Sequence, residues 1–143
     1  MERKTELKEV SIADKDTFYK YYKTYPVNHC DYNFSNLVFY EDIYRYQWFI
    51  FEDHLVIYNS VKDLIFMPVG EPYNVDFLKR ISDIFKSYGK SGNFCFCLND
   101  FIDANSDLSF YFDVIEDRNC ANYIYKSVKL GYGEDRDLHG KRN

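Results

Sequence analysis

No apolar run in this sequence is long enough to span a bilayer. The longest, Trp48 to Phe51 and Leu64 to Val69, fall far short of the roughly 20 residues that a helix needs. The first residues, Met1-Glu2-Arg3-Lys4-Thr5-Glu6, are charged and lack the apolar segment of a secretory leader. There is no Cys-x-x-Cys pair among Cys30, Cys95, Cys97 and Cys120. Cys95 and Cys97 stand two apart in an apolar run, so in a strand they face one side. Their Cα atoms would lie about 7 Å apart, which closes a disulfide poorly. Reduced, buried thiols in a cytoplasmic protein are the expectation. Excess positive charge is also missing: 18 basic and 23 acidic residues leave a formal net charge of −5. A broad nucleic-acid surface needs clustered positive charge, so none is expected here. The basic residues near the ends are read as solvated faces. They are Arg3, Lys4 and Lys8 at one end, and Lys126, Lys129, Arg136, Lys141 and Arg142 at the other. Glu134, Asp135 and Asp137 dilute the second group. No internal repeat or low-complexity tract interrupts the chain.

Aromatic residues are abundant. They make up 20% of 143 residues, with Tyr 15, Phe 13 and Trp 1. Each can bury roughly 150–250 Å², so a core built from them is large for the chain length. Tyrosine also tolerates a half-wet position, and some rings are expected to line a cleft or a domain contact. The length is that of one domain.

Apolar spacing outlines the elements. Val10 and Ile12 alternate with polar neighbours, which predicts a short strand near 8–12. Ser11 and Asp14 form a capping-box pattern, and Phe18, Tyr21, Tyr22 and Tyr25 follow at helical spacing until Pro26. A second helix is expected over Ser35 to Tyr44, capped by Asn33 or Ser35, with Leu37, Tyr40, Ile43 and Tyr44 as its apolar stripe. Gln47 to Phe51, Leu55 to Tyr58 and Leu64 to Val69 read as an antiparallel meander with polar turns at Glu52-Asp53 and Asn59 to Asp63. Val75 to Tyr88 carries the clearest helical stripe: Val75, Leu78, Ile81, Phe85 and Tyr88. Asn74 stands ready as its cap and Gly89 as its left-handed stop. Asn93 to Leu98, Leu108 to Ile115 and Asn122 to Lys126 read as strands, and Asn99 to Asn105 as a turn or short helix. The fold class is therefore α/β (α+β), a mixed, mainly antiparallel sheet flanked by helices.

Several strings together resemble a bacterial family named for the C-terminal domain of phosphatidylglycerol lysyltransferase. They are Ser11-Ile12 with Asp14-Lys15, Tyr32-Asn33-Phe34-Ser35-Asn36-Leu37, Tyr46-Gln47-Trp48 and Pro68-Val69-Gly70. Glu116-Asp117-Arg118-Asn119, Asn122-Tyr123-Ile124-Tyr125 and His139-Gly140-Lys141-Arg142-Asn143 complete the set. The resemblance implies a GNAT-like (acyl-CoA N-acyltransferase) fold over residues 1–126. It implies that 127–143 are a linker and the start of a second GNAT-like half. Ser127 to Asp137 departs from the family, with Gly131-Tyr132-Gly133 and charges where a short leucine-rich turn is usual. In such tandem proteins, acyl-CoA or aminoacyl-tRNA donors and the chemistry would belong mostly to the second half. The first half would act as a packing or binding module, paired with that half or with a second copy of itself. The alternative is a small acyltransferase that moves an acyl or aminoacyl group to a lipid or amine acceptor.

No catalytic, cofactor or metal residues are assigned within this half. A GNAT pyrophosphate loop needs glycines at a helix N-terminus. Val69-Gly70-Glu71-Pro72 offers one glycine and an acid that repels phosphate, and Gly131-x-Gly133 runs into Glu134 and Asp135. His29-Cys30 has the residue types of a base and a thiol nucleophile, but neighbours in sequence rarely face each other. The preferred reading is a loop histidine beside a buried cysteine. The spacing of His29, His54, His139 and the cysteines does not match a four-ligand zinc site. Glu116-Asp117-Arg118 reads as a turn with a local ion pair. His139, Lys141 and Arg142 are the candidate substrate-binding residues, with Lys141 and Arg142 able to contact a lipid head-group or tRNA phosphate.

Overall fold

The computed structural model describes residues 6–116 and 122–126. Strands and helices mix, and the strand pairs within each unit are antiparallel. The chain divides into two compact units, Met1–Pro72 and Tyr73–Asn143.

The first unit opens with β1 (Lys8–Glu9). A 3-10 turn at Ile12–Asp14 then leads into α1 (Lys15–Thr24). The Asp14 carboxylate accepts the Ser11 N–H at 2.8 Å, as the capping-box pattern predicts. The same carboxylate accepts the Trp48 indole N–H at 3.0 Å, so one acid caps a helix and satisfies a buried ring. Phe18 and Tyr21 are the buried face of α1.

Asn33 caps α2 (Phe34–Phe39), accepting from the backbone of Ser35 at 2.9 Å and Asn36 at 3.4 Å. The helix expected over Ser35 to Tyr44 is broken. Tyr40 leaves the helical region, and a separate turn, α3 (Glu41–Tyr44), ends at Arg45 in the left-handed conformation. The predicted stripe fails for the same reason. Leu37 is fully buried, whereas Tyr40 and Ile43 are exposed.

β2 (Tyr46–Phe51), β3 (His54–Asn59) and β4 (Leu64–Phe66) form the expected meander, with β1 on the outer side of β2. Phe51 pairs with His54, leaving a two-residue loop in which Glu52 and Asp53 both have positive φ. That is the type I′ hairpin, whose twist suits antiparallel strands. β3 has neighbours on both sides and is buried at every residue. Val69 returns beside Leu55 through an antiparallel bridge, although β4 itself stops at Phe66.

Tyr21 ties α1 to the hairpin, its hydroxyl donating to Asp53 Oδ1 at 2.8 Å. Burial first, and then the bond to Asp53, push this phenol from 10.0 up to about 12. Between about pH 10 and 12 the unfolded chain loses a proton that the fold keeps, so stability falls across that window. Tyr21→Phe is expected to be less stable than the parent at pH 8 by about 1 kcal/mol. The gap should narrow as the pH rises toward 12. Urea unfolding at a series of pH values, followed by circular dichroism, measures both effects.

In the second unit, α4 (Val75–Ser87) follows its sequence stripe. Val75, Leu78, Ile81 and Phe85 are buried, and Tyr88 is exposed. Asn74 accepts the Phe77 N–H at 3.1 Å, and Gly89 takes φ +78° just beyond the helix. β5 (Phe94–Cys97) and β6 (Phe112–Ile115) flank β7 (Asn122–Lys126). Phe96 has positive φ and the β5–β7 register shifts there, which interrupts the simple alternation expected for Cys95 and Cys97. α5 (Asn99–Ala104) is the predicted short helix. The strand expected over Leu108 to Ile115 starts late: Ser106–Phe110 is a 3-10 turn, with Leu108 buried and Phe110 exposed. Lys79 Nζ lies 3.9 Å from the centre of the Tyr111 ring just past that turn.

Candidate functional site

A groove of about 430 Å³ opens in the first unit. Its lining runs from Tyr19 and Tyr22 on α1, through Pro26 to Cys30, to Tyr32, Asn33 and Phe34. Helical spacing places Tyr19 and Tyr22 side by side. Pro26 then ends the helical path and lets the chain fold back beside α1. The Tyr22 hydroxyl donates to the Tyr32 carbonyl and holds the returning chain. Burial raises the Tyr22 phenol well above its ordinary value, so it stays a donor even in alkaline solution where a free phenol ionises. Tyr32 in turn donates to the Met67 carbonyl at 2.9 Å, which anchors the groove to the segment following β4. Phe34 packs on Phe18 and Tyr19, with ring centres 5.0 and 6.0 Å apart.

The turn at Cys30–Tyr32 is a 3-10 helix. With three residues per turn, positions 29 and 32 share a side. His29 and Tyr32 are the more buried pair, their rings 6.0 Å apart, while Cys30 and Asp31 are exposed. This corrects the expectation of a buried Cys30, whose side of the turn is exposed. Cys95 and Cys97 are buried as expected, and burial pushes the Cys97 thiol up to about 12, which makes it inert.

His29, Cys30 and Asp31 nevertheless bring three unlike donor atoms within 4.8 Å of one another. His29 Nδ1 accepts the Asp31 N–H at 3.2 Å and lies 3.4 Å from Asp31 Oδ2. Residue spacing alone shows these residue types without their convergence. The hint available was the three-residue step from His29 to Tyr32, followed at once by a helix cap at Asn33.

The other sequence candidates fare differently. His139, Lys141 and Arg142 lie outside the described residues, as do Cys120, Asp117-Arg118 and Gly131-Tyr132-Gly133. Gly70 has a packing role. A Cβ there would sit 2.5 Å from Cδ2 of His54, whose Nδ1 and Nε2 lie 2.7 and 2.8 Å from the carbonyls of Glu52 and Glu71. The Glu71 carboxylate accepts from the Tyr25 hydroxyl at 3.0 Å. Val69-Gly70-Glu71-Pro72 is thus occupied with holding the hairpin. Among the described residues no helix is long and apolar enough to cross a membrane.

No protein-family model matches the chain, and no curated protein does. Its fold is similar to that of a crystal structure from Bacteroides thetaiotaomicron VPI-5482, a conserved protein of unknown function. The TM-score is 0.69 at 23% identity, over 80% of this chain and 40% of that one. The chain thus shares a mixed α/β fold with part of a larger bacterial protein and spans 40% of that protein's length.

Proposed function

We propose that residues 1–126 are a GNAT-like half of a tandem acyl- or aminoacyltransferase-like protein, working as a packing and binding module. The observation that carries this reading is the coverage of the Bacteroides structure: most of this chain matches less than half of that one. The ordered strings that resemble the phosphatidylglycerol lysyltransferase C-terminal domain family support it independently. Acyl-CoA or aminoacyl-tRNA would then be donors for the other half. His139, Lys141 and Arg142 would meet a substrate phosphate at the junction.

Exposed apolar side chains fit a packing role. Phe39 and Ile43 stand out on α2 and α3, and Phe110 beside β6. Such surface tends to be covered by a partner. Light scattering over a concentration series is expected to show self-association of the chain alone. A clean monomer at the highest concentration would remove the second copy as partner. A second reading, a small transferase using its own cleft, is favoured by the groove alone, whose 430 Å³ suits a small molecule.

A further inference from the structure

We propose that His29, Cys30 and Asp31 form a three-donor site for a divalent cation of the zinc class. The donors are an imidazole nitrogen, a sulfur and a carboxylate oxygen, the set that borderline metals prefer over magnesium or calcium. The three atoms lie no more than 4.8 Å apart, so a cation centred among them is at most about 2.8 Å from each. Bonds of roughly 2.0–2.3 Å are then reached by side-chain adjustments of about an ångström or less. Cys30 and Asp31 are exposed and can make them without moving the backbone.

The Asp31 N–H donates to His29 Nδ1 at 3.2 Å, so a cation bound at that nitrogen takes the place of this hydrogen bond. Nδ1 and Asp31 Oδ2 stand 3.4 Å apart, a spacing a shared cation would bridge. Packing on Tyr32 steadies the ring, and Asn36 Nδ2 donates to the Cys30 carbonyl at 3.3 Å, which steadies the turn. Three protein donors leave a zinc-class ion with a further position. His29 and Cys30 also line the aromatic groove, so a small molecule there can supply the fourth ligand. Binding requires the Cys30 thiol to give its proton to solvent.

The test uses the whole chain, freed of metal by a chelator, kept reduced and titrated with Co²⁺ alone. The expected result is a thiolate-to-cobalt charge-transfer band that saturates at about one equivalent and is abolished by Zn²⁺. Cys30→Ser should lose the band. Asp31→Asn and His29→Ala should each weaken cobalt binding about tenfold or more. Trp48 fluorescence confirms folding of each variant, and the exposed positions Cys30 and Asp31 carry the test if His29→Ala unfolds. Absence of the band in the parent, or its persistence in Cys30→Ser, would overturn the proposal. The His29–Asp31 contact would then be a local hydrogen bond only.

Discussion

Phe18→Ala is expected to destabilise the first unit by about 3–5 kcal/mol, the usual cost of removing a fully buried phenylalanine. Phe18 is 0% exposed. Its ring meets Phe34 at 5.0 Å, Trp48 at 5.4 Å and Tyr22 at 6.1 Å. It therefore joins α1, α2 and β2. Two of those partners, Phe34 and Tyr22, are walls of the groove, so the loss is structural and local to the site. Whole domains are stable by only about 5–15 kcal/mol, which makes this a large fraction of the total. Trp48 is the only tryptophan and lies in the same cluster. Its fluorescence during urea unfolding reads the effect directly, and an unchanged midpoint would mean that Phe18 is not a keystone of this core.

In the second unit, Gly92→Ala should be the most damaging small substitution, at about 2–5 kcal/mol, from the left-handed backbone and the overpacking together. Gly92 has φ +73°, and a Cβ there would sit 2.4 Å from Ser82 Oγ and 2.9 Å from the Ser82 carbonyl. Ser82 is fully buried and donates to the Gly92 carbonyl at 2.7 Å, so it cannot move aside without breaking that bond. Gly89→Ala is the internal control. Its φ is similar at +78°, but nothing lies within 4 Å of the added Cβ. It should cost only about 1–2 kcal/mol, the conformational part alone. Thermal unfolding of the two variants by circular dichroism separates clash from backbone strain. Equal losses would show that the Ser82 contact gives way freely.

Much of this architecture is legible from residue spacing. The stripe of α4, with Asn74 before it and Gly89 after it, needs only helical periodicity and capping chemistry. The meander also follows, because apolar runs alternate with polar turns. The failures have local causes. Leu37, Tyr40, Ile43 and Tyr44 look like one stripe, yet the backbone turns at Tyr40 and splits it. Leu108, Phe110 and Phe112 alternate as a strand would, but Asn105-Ser106-Asp107 opens a 3-10 turn first. The groove was the least legible feature. It depends on the Tyr22 hydroxyl meeting the Tyr32 carbonyl, a contact across ten residues that no periodicity encodes. The convergence of His29, Cys30 and Asp31 was hidden for a related reason. It depends on the extended His29 folding its ring back to accept the Asp31 N–H at 3.2 Å, a contact that residue spacing does not encode.

Two observations bear on the proposed packing and binding role. The Val69-Gly70-Glu71-Pro72 segment, the nearest sequence match to a phosphate loop before α4, is engaged with His54 and Tyr25. The chain shares its fold with 40% of a larger protein. Both fit a half-domain whose role is to pack and bind while a partner half carries the chemistry. Isothermal titration of the purified chain with acetyl-coenzyme A tests that reading most directly. The account predicts no saturable heat. Stoichiometric binding to the chain alone would contradict it and make this half an acyl-donor site in its own right.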